Sequence, residues 1–398
     1  MSTKATAFID FNKELYMKLS KLGSGVSELE LYEFEYALAN IQPLNGDWAT
    51  VDIPLESDIE KKISDSSFYE KIQLKPEENC KITIDESIME LNRSLFAGIL
   101  YNRFDLNWID KYFYFDVRGF LFLPRTIYYT KKILEHLENK PYLKFKKRQS
   151  NFDSYHGIGF KDFKKANKEI DRNLINIVEK LTTNKSTPII IAIAGPTAAG
   201  KTEFSEYLLE FFTTHNKTIS MIEMDNFFLD RDYRDKIGVG SMSKDSIHFD
   251  LFRKTLTDLK NGKSCKIPKY DFVNAFSSHD PAGTLKPGAS TLSVKPADVI
   301  FIEGNFPFLF DGIIPLMDIK IFYLTDDPIR LKRKWKRDID YRKKYDPNYL
   351  CNRYFRTQFL KAETCYRAQL EICDIAVDTT QACIYVSREI FKILEHKT

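Results

Sequence analysis

A glycine-bounded stretch in the second half of the chain has the residue types and spacing that bind phosphate. It follows the pattern GxxxxGK[ST] and comprises Gly195, Pro196, Thr197, Ala198, Ala199, Gly200, Lys201 and Thr202. Small residues let backbone N–H groups surround a β-phosphate, and the N-terminus of a following helix adds partial positive charge. The lysine of such a loop bridges the β- and γ-phosphates, and the threonine hydroxyl ligates Mg²⁺. The sequence therefore predicts a nucleoside triphosphate site, with ATP and Mg²⁺ as the expected ligands.

Two carboxylates stand at the ends of later predicted strands. Asp225 follows the apolar run Thr218–Met224, and Glu303 closes the run Asp298–Glu303. Carboxyl ends of strands line the ligand crevice of a doubly wound sheet. The neighbouring strand is expected to be the one that ends in the phosphate loop, so Asp225 should point toward the γ-phosphate. There it would accept a hydroxyl proton or help to hold Mg²⁺. Glu303 is the expected metal partner. The alternative for Asp225 is a turn or N-cap role.

A basic segment follows the fourth predicted strand, Ile319–Leu324. Its lysines and arginines are Arg330, Lys332, Arg333, Lys334, Lys336, Arg337, Arg342, Lys343 and Lys344. In a phosphoryl-transfer domain such a helix indicates a lid, whose arginines offset the charge that develops on the transferred group. A solvated helix face and a nucleic-acid patch are the alternatives. The lid ranks above nucleic acid because the rest of the domain is not basic.

The elements around these residues alternate between strands and helices. Pro188–Ala194 is a continuous apolar run, as expected for a strand buried on both faces. A helix over Thr202–Thr213 follows the phosphate loop, and another over Asp250–Lys260 precedes the third strand. This alternation predicts an α/β fold of the P-loop NTPase type, with a doubly wound parallel sheet and a lid.

Residues 1–185 are predicted to form a mostly helical domain of unknown function. Apolar residues recur at helical spacing in Phe8–Leu22, Leu29–Ile41 and Ile84–Leu100. Tyr112–Leu123 has the aromatic composition of one or two strands, and a polar helix is expected from Phe160 to Leu181. The turn-like residues 182–188 then separate this half from a P-loop kinase domain over residues 186–398.

The composition limits the kinds of binding partner that are expected for this chain. The formal net charge is +3 over 398 residues, so no strong positive field indicates nucleic acid or a membrane as the main partner. The 6 cysteines lack metal-site spacing, and reduced thiols are expected. The N-terminus lacks the apolar run of a signal peptide, and no apolar run is long enough to span a bilayer. A cytoplasmic protein with a small-molecule partner is predicted, and a homo-oligomer is an open alternative.

A series of motifs resembles the uridine kinase and phosphoribulokinase family of P-loop kinases, over about Ile189 to Val377. After the phosphate loop come MDNFF at Met224–Phe228 and a helix, turn and IPKYDF at Leu256–Phe272. PADVIFIEG at Pro296–Gly304 and the basic segment Thr325–Asp338 follow in the family's order. The resemblance implies an ATP-dependent kinase that transfers the γ-phosphate to a hydroxyl group of a small metabolite.

Carried over by position, the resemblance implies a role for several residues. Asp225 would be the general base, Glu303 a metal-linked acid and Arg337 a lid arginine on the phosphates. The remaining matches are Lys334 where an arginine is usual, Arg342 at a later lid arginine, and Tyr270 at a substrate-contacting tyrosine.

Two positions depart from the nucleoside-specific members that the chain resembles. Ala275 stands where "YDFxxHSR" has its histidine, and Met242 stands where "FDHPDAFD" has its substrate aspartate. Neither side chain can hydrogen-bond a base or a ribose, so a non-nucleoside alcohol is predicted as the preferred acceptor. If a nearby histidine, His248 or His279, supplied the missing hydrogen bond to a nucleoside, this expectation would be reversed.

Several acceptors and two other function classes stay open. The acceptors are a nucleoside, pantothenate, glycerate or a sugar. A catalytically weak nucleotide-binding regulator or scaffold is one alternative class, and the intact Lys201, Thr202, Asp225 and Glu303 argue against it. A GTPase is the other, and the sequence has no NKxD motif after a strand to read guanine.

Overall fold

The computed structural model describes residues 12–22, 30–39, 41–43, 46–65, 68, 75–76, 82–83, 86–116, 121–145, 160–183, 185–240, 242–336 and 361–396. The chain divides into two compact units. The first includes the described residues up to Ile127, and the second begins at Tyr128.

The first unit is mostly helical. Its helices are α1 (residues 12–19), α2 (Leu31–Leu38), α3 (Glu56–Ser64), α4 (Glu86–Leu100) and α5 (Leu106–Tyr112). Its strands are β1 (Lys75–Pro76), β2 (Ile82–Thr83), β3 (Phe113–Asp116) and β4 (Leu121–Pro124). Phe96 of α4 packs its ring 6.0 Å from Phe115 and 5.3 Å from Phe122, so the β3–β4 hairpin closes over the helix core.

The second unit is built on a seven-stranded sheet. The strands of this unit are β5 (Leu143–Lys144), β6 (Ile189–Ala194), β7 (Ile219–Glu223), β8 (Cys265–Ile267), β9 (Tyr270–Asp271), β10 (Phe276–Ser277), β11 (Leu292–Val294), β12 (Val299–Glu303), β13 (Ile319–Leu324), β14 (Ile375–Asp378) and β15 (Cys383–Val386). The main sheet has the order β5-β15-β14-β13-β6-β12-β7. Strands β14, β13, β6, β12 and β7 run parallel, and β15 and β5 add an antiparallel edge.

The second unit also contains helices. They are α6 (Lys131–His136), α7 (Phe160–Thr182), α8 (Lys201–Thr214), α9 (Arg231–Lys236), α10 (Phe249–Lys260), α11 (Asp327–Lys336), α12 (Arg367–Leu370) and α13 (Arg388–Glu395). Every residue of β6 is buried, so this interior strand is covered on both faces, as its apolar run predicts. The P-loop type of α/β fold predicted from the alternating elements is confirmed.

The division between the units falls before helix α7. The sequence prediction placed the boundary after residue 185, within the turn-like residues 182–188. Leu174 and Val178 of α7 are fully buried in the same apolar core as β6 and β13. Strand β5 also joins the sheet, beside β15. The helix is polar on one side only, and its apolar stripe belongs with the sheet. The turn-like residues 182–188 therefore connect two elements of one unit.

The neighbour relation assumed for Asp225 is wrong. Strand β7, which precedes Asp225, pairs with β12 and not with β6. Strand β12 pairs with β6 on its other side, from Val299 against Ile189 to Glu303 against Ile193. The chain crosses over β12 between β6 and β7, so Glu303 ends the strand next to the phosphate loop and Asp225 lies one strand farther away.

No helix among the residues that the structure describes is long and apolar enough to cross a membrane. The described cysteines Cys265, Cys365, Cys373 and Cys383 are all free thiols.

Candidate active site

The phosphate loop joins the end of β6 to the start of α8 and adopts left-handed backbone at several points. The φ angles are 145° at Gly195, 64° at Ala198 and 107° at Gly200. A Cβ atom on Gly195 would lie 2.2 Å from the backbone oxygen of Tyr323 in β13. Glycine is therefore required at position 195, both for its backbone angle and for the close approach of the neighbouring strand.

Successive carbonyl groups of the loop are held by donors that follow β13. Arg330 Nη1 donates to the Thr197 oxygen at 3.3 Å, and Arg333 Nη1 donates to the Ala198 oxygen at 3.3 Å. The Thr325 hydroxyl donates to the Ala199 oxygen at 2.7 Å. Binding these oxygens to protein donors suits an anion site, because an unpartnered carbonyl oxygen would repel phosphate.

The Lys201 ammonium group lies inside the loop. Its Nζ donates to the backbone oxygens of Gly195 at 2.9 Å and Pro196 at 3.1 Å, and the residue is buried. The loop thus has the backbone conformation and the inward-facing cation that a phosphate-binding loop requires.

Thr202 and Glu303 meet beside this lysine. The Thr202 hydroxyl donates to Glu303 Oε1 at 3.1 Å. Burial raises the pKa of Glu303, the positive charge of Lys201 and the Thr202 hydrogen bond oppose that shift, and the negative charge of Asp225 adds to it. Asp225 is therefore close enough to act on the Glu303 carboxylate through space.

The donor set fits Mg²⁺. A hydroxyl and a carboxylate are hard oxygen ligands, and Mg²⁺ commonly takes one or two protein ligands together with water and substrate phosphates. Among the residues that the structure describes, no group of three or more histidine, cysteine or acidic side chains could hold a metal alone. Thr202 and Glu303 would hold the ion jointly with a nucleotide.

Asp225 lies in a 3₁₀ turn, Met224–Phe227, directly after β7. Glu223, two residues before Asp225, pairs with Glu303 in the β7–β12 register. A Cβ atom on Gly304 would lie 2.8 Å from the Met224 Cβ atom, so glycine at 304 lets the two strand ends approach. The sheet thus brings Asp225, Glu303, Thr202 and Lys201 to one edge.

Tyr270 belongs to the small β9–β10 hairpin that follows α10 and β8. Its backbone N–H donates to the Asn226 side-chain oxygen at 3.2 Å, and its ring lies 5.9 Å from that of Phe228. Its hydroxyl accepts from Arg234 Nη2 at 3.2 Å. Tyr270 is thus fixed against the residues that follow Asp225. Arg234 is a residue that sequence reasoning missed, and no motif marks it.

The two candidate histidines are buried in the hairpin region. His248 Nε2 lies 3.2 Å from the Ser277 hydroxyl, and His279 Nδ1 lies 2.9 Å from the Ser278 hydroxyl. Burial and the nearby His279 lower the pKa of His248 to about 4, so its imidazole is neutral near pH 7. Each imidazole ring already has a serine hydroxyl as a hydrogen-bond partner. Either histidine would lose that hydrogen bond if its side chain rotated toward an acceptor.

The two departures from the nucleoside pattern bring no polar side chain. Ala275 is buried at a left-handed turn residue of the hairpin, with φ 61°. Met242 is half-buried, and its backbone oxygen accepts from the Cys365 thiol at 3.6 Å.

The predicted lid is only partly described. Arg337 and Arg342 lie outside the described residues, while Lys334 is half-buried on α11. Arg333 contacts the phosphate loop. Sequence analysis placed Arg330 in the basic run without a specific role, yet it is 1% exposed and pairs with Asp327. The i,i+3 spacing of these two residues is a signal that could have identified the pair.

Parts of the chain are similar to known proteins. The model of the phosphoribulokinase / uridine kinase family matches residues 190–381. Uridine-cytidine kinase B of Dictyostelium discoideum is 34% identical over 161 residues, which are 40% of this chain and 61% of that protein. The uridine kinase of Leuconostoc citreum is 32% identical over 158 residues, which are 39% of this chain and 70% of that protein. The solved D-glycerate 3-kinase of Cryptococcus neoformans superposes with a TM-score of 0.40 at 10% identity, covering 54% of this chain and 97% of its own.

Proposed function

The chain belongs to the phosphoribulokinase and uridine kinase family, and we propose that it transfers the γ-phosphate of ATP to a hydroxyl group of a small non-nucleoside metabolite. The observation that carries this proposal is the hydrogen bond of 3.1 Å between Thr202 and Glu303, beside the ammonium group of Lys201. These residues supply the cation and the metal ligands that phosphoryl transfer needs.

Each residue has a distinct part in the proposed reaction. Lys201 moves from the loop carbonyls to the β- and γ-phosphates, and Thr202 and Glu303 would hold Mg²⁺. When bound, Mg²⁺ neutralises charge on the phosphate oxygens. Asp225 accepts the proton of the acceptor hydroxyl as that oxygen forms its bond to the γ-phosphorus. The bond from the γ-phosphorus to the β–γ bridging oxygen breaks, and ADP leaves with that electron pair.

The acceptor side supports a compound other than a nucleoside. Ala275 and Met242 place no hydrogen-bonding side chain where the nucleoside-specific pattern has one. His248 and His279 are buried and engaged with serine hydroxyls, so neither is positioned as a ready substitute. A site discriminates by the hydrogen bonds that it can make, and a nucleoside would leave its polar groups unpaired here.

The test combines nucleotide binding with turnover. MgATP at millimolar concentration should raise the melting temperature, and ADP release should be measured with a panel of hydroxyl compounds. Lys201→Ala should keep the fold and lose turnover. Lys217→Ala, at an exposed lysine beyond α8, should keep both the fold and the turnover. Absence of any thermal shift would overturn the nucleotide site. Uridine turnover with kcat/KM above about 10⁴ M⁻¹s⁻¹ would overturn the non-nucleoside part.

A further inference from the structure

Arg234 is a buried cation on the acceptor side of the site. The residue is 9% exposed, and none of its interactions with described residues is an ion pair. The nearby Asp230 carboxylate is engaged instead by Lys286, at 2.7 Å. Burying most of a guanidinium group without a counter-charge is unfavourable. This arrangement needs an explanation beyond packing.

The contacts of Arg234 fix the guanidinium group but leave part of it available. Nε donates to the Leu229 oxygen at 3.1 Å, and Nη2 donates to the Tyr270 hydroxyl at 3.2 Å. The guanidinium carbon lies 5.1 Å from the centre of the Phe228 ring. Nη1 bonds to no described residue, yet it is not among the buried atoms that lack a partner, so it keeps contact with solvent.

The guanidinium group is tied to the turn that carries the proposed base. The Phe228 backbone N–H donates to the backbone carbonyl oxygen of Asp225 at 3.3 Å. The Arg234 guanidinium group lies over the ring of the same phenylalanine. Tyr270, which Arg234 also contacts, is bonded to Asn226, the residue after Asp225. A ligand held by Arg234 therefore lies close to the Asp225 turn.

We propose that Arg234, with the Tyr270 hydroxyl, binds an anionic group of the acceptor, so that the acceptor is a hydroxy compound bearing a carboxylate or a phosphate. A planar guanidinium matches either oxyanion with paired N–H donors. The bound anion supplies the counter-charge that Arg234 lacks among the described residues. This inference rests on the proposed kinase function and specifies the class of its acceptor.

The decisive comparison pairs each anionic compound with its neutral counterpart. Glycerate with glycerol, ribose 5-phosphate with ribose, and uridine as a neutral nucleoside are titrated calorimetrically into the full chain with Mg²⁺ and a non-hydrolysable ATP analogue. We expect the anionic member of at least one pair to bind about 30-fold or more tightly than its neutral counterpart. Binding by the carboxylate pair or by the phosphate pair identifies which oxyanion is used.

Variants then assign the effect to this residue. Arg234→Met should remove the preference, raising Kd and KM for the anionic compound and leaving those for the neutral one unchanged. Arg234→Lys keeps a point charge without the planar fork and should retain part of the preference. Arg253→Met, at an exposed arginine of α10, is the matched control and should change nothing.

Two results would overturn the inference. One is equal binding of the anionic and neutral members of both pairs by the unaltered protein, which needs no variant to fold. The other is an equal loss for both members in Arg234→Met, which would mark Arg234 as structural. Turnover is assayed separately: ADP formation with neutral acceptors alone overturns only the anionic acceptor, whereas no ADP formation with any acceptor overturns the kinase proposal.

Discussion

The Thr202 hydroxyl at the start of α8 and the Glu303 carboxylate at the end of β12 are joined by a hydrogen bond of 3.1 Å. The two oxygens come from segments about a hundred residues apart, and the β6–β12 pairing brings them together. The fold of the chain therefore sets two hard oxygen atoms side by side, as a shared Mg²⁺ site would require.

Glu303→Gln should weaken MgATP binding by about tenfold or more, because the amide keeps an acceptor oxygen and loses the charge that attracts the metal. Burial raises the pKa of Glu303, so at acid pH the carboxyl is protonated and the metal must displace that proton. MgATP affinity should therefore fall as the pH is lowered from neutral toward the range in which Glu303 is protonated, and Glu303→Gln should flatten the dependence.

Calorimetric titration of MgATP across this pH range measures both effects. Glu210→Gln, at an exposed position of α8, is the control and should behave as the unaltered protein does. If MgATP affinity depended on pH equally in Glu303→Gln and in the unaltered protein, a group other than Glu303 would be responsible for the pH dependence.

Asp225→Asn should lower kcat by about 10²–10⁴ while MgATP affinity changes little, because the amide keeps the shape and cannot accept the hydroxyl proton. Steady-state kinetics with the best acceptor measures this change. Asp235→Asn, at an exposed position of α9, is the matched control. A kcat near that of the unaltered protein would assign Asp225 a structural part.

Arg337→Ala should lower kcat by about 10²-fold or more if this arginine stabilises charge on the transferred group, as the predicted lid implies. Arg253→Ala is the control for loss of an arginine. The nucleic-acid alternative makes the opposite prediction, in which kcat is retained and salt-sensitive binding to oligonucleotides is lost. Kinetics and oligonucleotide titrations at two salt concentrations distinguish them.

Asp171→Asn should change how stability depends on pH. Asp171 of α7 accepts a hydrogen bond from the Tyr323 hydroxyl at 2.8 Å, and burial raises its pKa to about 7 despite that bond. The native state therefore holds a proton that the unfolded state releases above about pH 4. The contribution of this proton to the free energy of unfolding is complete below about pH 4 and is lost as the pH rises to about 7.

The free energy of unfolding of the unaltered protein should then fall relative to that of Asp171→Asn by at most about 1.4 kcal/mol per pH unit in this window. Urea unfolding at several pH values between about 4 and 8 measures it. Asp311→Asn, at an exposed site, should leave the dependence unaltered. Parallel curves for Asp171→Asn and the unaltered protein would contradict the raised pKa.

The elements that could be predicted before the fold was known are those whose signal lies in contiguous residues. Strand β13 has the bounds read from its apolar run, Ile319–Leu324, and the phosphate loop lies between a buried strand and a helix as its motif requires. Asp225 and Glu303 could be selected because they directly follow apolar runs. Loop motifs and runs of apolar residues act over a few neighbouring residues, so a linear pattern contains them.

Which segments become neighbours depends on the tertiary structure. The crossover that places β12 between β6 and β7 puts Glu303, and not Asp225, beside the phosphate loop. Helix α7 joins the sheet through one apolar stripe, although its composition is polar overall. Arg234 becomes a buried cation because Phe228 and Tyr270 enclose it. Such contacts join residues tens or hundreds of positions apart, and their energy depends on strand order and packing, which no local pattern of residues specifies.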